Sequence, residues 1–133
     1  MELQEVGLAV KRLQWRHHRA ANSALEDVGL SLAQWDVLRH LAQRPDASLH
    51  DLAVLTFQTD QSMGALATRM VQRGLLERVS GPGRAVRHRI TSAGEQARRS
   101  GAERMDGVLD ETLGKLSADE LATLHDLLLK AGQ

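Results

Sequence analysis

Residues 59–91 read TDQSMGALATRMVQRGLLERVSGPGRAVRHRIT. Thr59 is a helix-capping residue type, and Met63, Leu66, Ala67, Met70 and Val71 follow it at helical spacing. Gly74 stands where such a helix would stop. Leu75 to Val79 then reads as a short strand and Ser80-Gly81-Pro82-Gly83 as a tight turn. Beyond the turn, Val86, His88 and Ile90 alternate with Arg87 and Arg89, as in a strand with one buried and one wet face. The stretch holds six arginines (Arg69, Arg73, Arg78, Arg84, Arg87, Arg89) against two acids (Asp60, Glu77), so it is locally +4 in a chain whose 17 basic and 17 acidic residues cancel. Charge gathered at one place in a neutral chain predicts a surface for a polyanion.

Working outward, the flanks supply the other helices. Ser31-Leu32-Ala33-Gln34 is a capping box, opening a helix through about Gln43 with Trp35, Leu38, Leu41 and Ala42 inward, and Pro45 prevents its continuation. Ser48 starts a third, short helix by the same logic, with Leu52, Ala53 and Leu55 inward. Upstream, a first helix is expected from about Leu3 to Asp27, with Leu3, Val6, Val10, Leu13, His17, Ala20 and Ala24 forming a stripe that wants a partner helix, and Gly29 ending it. Downstream, Ser92-Ala93-Gly94-Glu95 reads as a capping box for a long helix to about Leu113. Ser117 caps a last helix edged by Leu121, Leu124, Leu127 and Leu128. Helix, helix, reading helix and hairpin in that order is a winged helix-turn-helix. The predicted class is mainly α with a small β wing, flanked by N- and C-terminal dimerisation helices.

Composition narrows the function. The 133 residues suit one domain with a real core. No apolar run reaches the ~20 residues of a membrane span, and MELQEVGLAVKRLQ lacks a signal-peptide core, so a cytoplasmic protein is expected. With no cysteine, disulfides, thiolate nucleophiles and thiol redox switching are excluded. No Gly-rich phosphate loop or nucleophile elbow is present, so no catalytic residue, cofactor or enzymatic activity is expected. Of the six histidines, the adjacent His17 and His18 point to different sides of a helix, and no local spacing supplies a set of zinc ligands.

The helix after Thr59 has the pattern of a major-groove reader: an apolar back, with Gln61, Ser62, Ala65, Thr68, Arg69 and Gln72 in front. Gln61 and Ser62 suit base edges, Ala65 a thymine methyl, Arg69 a guanine or phosphate, and Arg73 a phosphate, with Thr59 at the entering end. On the wing, Arg84 is expected near the tip and in a minor groove, with Arg87 and Arg89 along the phosphates. The bland alternative is a solvated amphipathic helix beside a solvated arginine-bearing strand.

From about Gly29 to Ala97 the chain resembles the MarR family of bacterial transcriptional regulators. The residues that carry the likeness are GLSLAQWDVLRHLA (29–42), SLHDLAVLTFQTDQSM (48–63), RMVQRGLLERV (69–79) and GRAVRHRITSAGE (83–95). Arg73-Gly74-Leu75-Leu76-Glu77-Arg78, followed by the wing and an Ile90-Thr91-x-x-Gly94 helix start, is its most specific part. The resemblance implies a homodimer with interlocked terminal helices, two winged domains on a palindromic site, and in many members a small-molecule or redox signal. Two departures stand out. The wing has Gly81-Pro82-Gly83 where many relatives carry acids, and the turn before the reading helix has Phe57 and Gln58 where relatives often have Gly and a small apolar residue. The latter pair suggests individual packing under the reading helix.

Residues 29–97 are therefore expected to be the winged helix-turn-helix, and 1–28 and 98–133 the dimerisation helices. Residues 101–133 hold seven acids and three bases, locally −4, a poor DNA surface. An effector is expected in the crevice between dimer helices and winged domain. Trp15, Arg16, His18 and Arg19 suit an aromatic or anionic molecule; the alternative is a packing role for Trp15 and solvated or interfacial histidines. The expected function is a homodimeric, sequence-specific regulator of transcription on double-stranded DNA, acting as a repressor on palindromic operators. The rivals are a winged-helix protein-interaction module without DNA binding and a regulator without any ligand.

Overall fold

The computed structural model describes residues 1–79, 83 and 85–133. Its helices are α1 (Leu3–Glu26), α2 (Leu32–Gln43), α3 (Leu49–Leu55), α4 (Asp60–Gln72), α5 (Ser92–Asp110) and α6 (Ala118–Ala131), with a 3-10 turn at Leu113–Lys115. The strands β1 (Leu76–Val79) and β2 (Arg87–Ile90) pair antiparallel, Leu76 opposite Ile90 and Val79 opposite Arg87. The architecture is a mainly α winged helix-turn-helix. No described helix is long and apolar enough to cross a membrane.

Caps set the helix starts. Ser31, Ser48 and Ser117 each close a capping box with the residue three further on, and the Thr59 hydroxyl accepts from Ser62 N at 3.0 Å. At α5 the cap is Thr91 rather than the expected Ser92: its hydroxyl accepts from Gly94 N at 3.0 Å. Glu95, assigned to the capping box, turns to Arg98 and Arg99 instead. The long helix also stops at Asp110, short of Leu113.

Three helix ends share one geometry. Behind α1, Gly29 N donates to Glu26 O and Leu30 N to Leu25 O. Behind α4, Gly74 N donates to Val71 O and Leu75 N to Met70 O. Behind α3, Phe57 N donates to Val54 O and Gln58 N to Ala53 O. In each the turning residue is left-handed, at φ 75° for Gly29, 77° for Gly74 and 59° for Phe57. This closure satisfies carbonyls that the helix end would otherwise orphan.

The core lies where α2, α3, α4 and β1 meet, around Val37, Leu38, Leu41, Leu52, Met63, Met70 and Leu76, all essentially solvent-free. Trp35 is buried as expected of a core residue; its Nε1 donates to Arg98 O at 3.1 Å, and Gly101 of α5 lies against the indole. The wing is tied to the body by an antiparallel bridge between Ser48 and Arg87, in which Leu49 N donates to Val86 O at 2.8 Å.

Several expected inward residues face out. Ala42 is exposed because α2 ends one residue later, and Leu55 is only half-buried. Phe57 is 97% exposed, so it does not pack under the reading helix; its left-handed backbone turns the ring outward. On α1 the buried residues are Ala21 and Leu25, whereas Leu3, Val6 and Val10 of the expected stripe are exposed. The second half of the stripe, Leu13, His17, Ala20 and Ala24, is half-buried, and Ala20 and Ala24 lie beside Gly107 and Val108 of α5.

Candidate nucleic-acid interface

On α4 the two faces divide as periodicity requires. Met63, Leu66, Ala67 and Met70 are buried against the core, and Thr59, Gln61, Ser62, Ala65, Thr68, Arg69 and Gln72 are exposed. Val71, expected with the apolar back, lies at its margin and is 37% exposed. Ser62 Oγ donates to Gln58 Oε1 at 3.1 Å, and Thr68 Oγ1 donates back to Gly64 O at 3.0 Å, which points these hydroxyl groups along the helix. Arg69 makes no ion pair among the described residues.

A contact that sequence reasoning missed joins the two helices of the motif. His50 of α3 and Asp60 of α4 are 2.8 Å apart and exposed. The hydrogen bond to Asp60, and then its charge, raise the His50 pKa above the ordinary imidazole value. The partners are ten residues apart, so no helical spacing announced them.

Arg73 is less free than an exposed arginine at a helix end suggests. Its Nη1 donates to Gln34 Oε1 at 3.1 Å, the oxygen that also accepts from Ser31 N in the α2 cap. The end of α4 is thereby fastened to the start of α2.

On the wing, Arg87 is exposed while its Nε donates to Asp46 O at 3.0 Å, leaving the terminal nitrogens for other acceptors. Arg89 stands 3.8 Å from Glu77 across the sheet. Arg84 and the Ser80–Pro82 part of the expected turn lie outside the described residues. Between the two arginines His88 points inward, is 6% exposed, and its Nδ1 has no hydrogen-bond partner. Burial, and then the Arg78 charge, hold its pKa below the ordinary value.

The cluster on α1 is an open surface. Trp15 is 57% exposed and stacks on His18, ring centroids 5.5 Å apart. His18 Nε2 also meets Asn22 Nδ2 at 3.3 Å. Trp15, Arg16 and Arg19 line one shallow hollow with Arg12, which belongs by its spacing of four from Arg16 and which sequence reasoning omitted. His17, expected in the apolar stripe, instead bonds Thr112 at 2.6 Å. Among the described residues no cluster of three metal-ligating side chains occurs.

Residues 28–85 match the model of the MarR family, and they contain α2, α3, α4 and β1. That match spans most of the winged core. The whole chain also has the MarR fold. It superposes with a TM-score of 0.87 on a MarR-family transcriptional regulator from Rhodococcus sp. RHA1, at 20% identity, covering 96% of this chain and 93% of that one. A mutant MarR from E. coli complexed with operator DNA gives 0.85 at 22% identity, covering 96% and 93%. BpsR from Bordetella bronchiseptica, whose DNA binding is regulated by 6-hydroxynicotinic acid, gives 0.86 at 24% identity, covering 97% and 99%. No curated protein sequence matches the chain.

Proposed function

We propose that this protein is a sequence-specific regulator of transcription that binds double-stranded DNA as a homodimer. The observation that carries this reading is the division of α4 into a buried apolar row and an exposed polar row, in a fold one of whose solved members holds operator DNA. Gln61, Ser62, Ala65 and Arg69 meet base edges in the major groove. Thr59, Thr68 and Arg73 serve the flanking backbone, and Arg84, Arg87 and Arg89 follow the phosphates and the minor groove.

The ends of the chain support assembly. No residue of α6 is buried, and Leu127, Leu128 and Leu129 are about as exposed as Val6 and Val10 of α1. Apolar helices of this kind seek a second copy, so residues 1–28 and 98–133 form the dimer and residues 29–97 the DNA-binding unit. A two-fold dimer sets two copies of α4 in successive major grooves about 34 Å apart, on a palindromic site, where occupancy represses transcription.

An effector reading rests on the α1 hollow. Trp15 beside Arg12, Arg16 and Arg19 suits a small aromatic acid, with His18 backing the indole. Such a ligand would change α1 packing, hence the separation of the two reading helices.

Selection of duplexes from random-sequence DNA tests the proposal. Enrichment of a palindrome, with affinity that falls steeply as salt rises, supports it. No enriched sequence at moderate salt would leave the winged-helix interaction module as the better reading.

A further inference from the structure

Phe57 occupies a position where the same chain twice uses glycine. Behind α1 and α4 the left-handed turning residue is Gly29 and Gly74; behind α3, with the same pair of backbone hydrogen bonds, it is Phe57. Glycine is favoured there because a Cβ at positive φ crowds the neighbouring carbonyl. A phenylalanine accepts that strain and, at 97% exposure, recovers none of it by burial. The ring makes no aromatic stacking contact among the described residues. The backbone geometry therefore does not call for this side chain, and the core does not use it.

Its place in the motif shows what does. Phe57 lies two residues before Thr59, the N-cap of α4, and is followed by Gln58, which holds Ser62. In a helix-turn-helix the N-terminal end of the reading helix is the end that meets base edges. The turn thus offers one large apolar group at the entrance to a polar reading face. Apolar side chains in the major groove find one apolar partner on the bases, the C5-methyl of thymine.

We propose that Phe57 is a specificity-determining residue that packs on a thymine methyl at the edge of the site read by α4. The assignment rests on the DNA-binding reading above. Strain at the turn is offset when the complex forms, because the ring leaves water only there.

Deoxyuridine substitution in a duplex selected by the wild-type protein tests this, since it deletes only the methyl. For the wild-type protein, replacing one thymine per half-site is expected to weaken binding about fourfold, the worth of one methyl group removed from water. Phe57→Gly is expected to weaken binding to the unmodified duplex roughly tenfold and to abolish the deoxyuridine effect at that position. The same variant should melt about 2–5 °C higher, because glycine relieves the left-handed strain, so loss of binding would not be loss of fold. Phe57→Leu, which keeps an apolar group, should retain part of the deoxyuridine effect. Unchanged affinity in Phe57→Gly, or a loss uncoupled from every thymine, overturns the proposal while leaving DNA binding intact. Failure of the wild-type protein to select any duplex would instead overturn the functional reading beneath it.

Discussion

His50 Nδ1 lies 2.8 Å from Asp60 Oδ1, joining the first turn of α3 to the first turn of α4. The bond adds an exposed link to helices already held by the buried Leu52, Ala53, Met63 and Ala67. It also sets a charge beside the surface assigned to DNA. With its pKa raised, His50 carries a proton at pH values where an ordinary imidazole has begun to lose it. The ion pair is complete below the ordinary imidazole range and is lost as the pH rises through the raised value. Deprotonation leaves Asp60 uncompensated, so affinity for DNA should fall as the pH rises above the ordinary imidazole value. In the His50→Gln variant that fall should flatten, which fluorescence anisotropy at constant ionic strength will measure.

His88 gives stability the opposite sign of pH dependence. Its folded-state pKa is lowered, so its contribution to stability is full above the ordinary imidazole value and is lost as the pH falls below it. Urea melts should therefore show a lower midpoint at about pH 5 than at about pH 7.5. His88→Leu should remove most of that difference, since no proton then has to enter the space under the wing.

Gly101 is where α5 crosses the indole of Trp35. A Cβ at this position would collide with Cδ1 of the ring, and that ring is anchored by its bond to Arg98 O. Gly101→Ala should cost about 1–3 kcal/mol in chemical unfolding, the usual penalty for overfilling a packed core. An unchanged midpoint would show that α5 stands further from α2 than described.

Arg69 and Arg87 should separate by the kind of loss they produce. Arg69, on the reading face, should relax base preference when changed to Ala, by about 1–3 kcal/mol of discrimination at one position. Arg87, on the wing, should weaken all duplexes alike and lower the salt slope by about one. Parallel selections with the two variants will distinguish these outcomes.

Local chemistry made most of the fold legible. Ser31, Ser48, Thr59 and Ser117 cap the helices assigned to them, and Gly29 and Gly74 end theirs. Two adjacent cap-competent residues defeated the same logic at α5, where Thr91 takes the role because its hydroxyl also reaches Gly74. Long-range contacts were out of reach: Arg73 and Gln34 are 39 residues apart, and only the folded chain brings them together. Phe57 misled because aromatic character suggests burial, whereas its left-handed backbone, invisible in composition, directs it to solvent. On α1 the apolar stripe is half-buried from Leu13 onward and exposed at Leu3, Val6 and Val10, while the fully buried residues are its neighbours Ala21 and Leu25. The exposed residues of α4 followed directly from phase, since one apolar row places its opposite.

The Thr91 hydroxyl donates to Gly74 O at 2.5 Å and accepts from Gly94 N, while Thr91 N donates to Leu75 O. One residue thus pins the foot of the long helix to the tail of the reading helix. α5 cannot swivel about its first turn without dragging Gly74 along or snapping that link. The hydroxyl and the backbone N–H of this residue together tie the start of α5 to Gly74 and Leu75. Thr91→Val would remove the link to Gly74 and the cap of α5 at once, leaving only the backbone bond to Leu75 between the two helices.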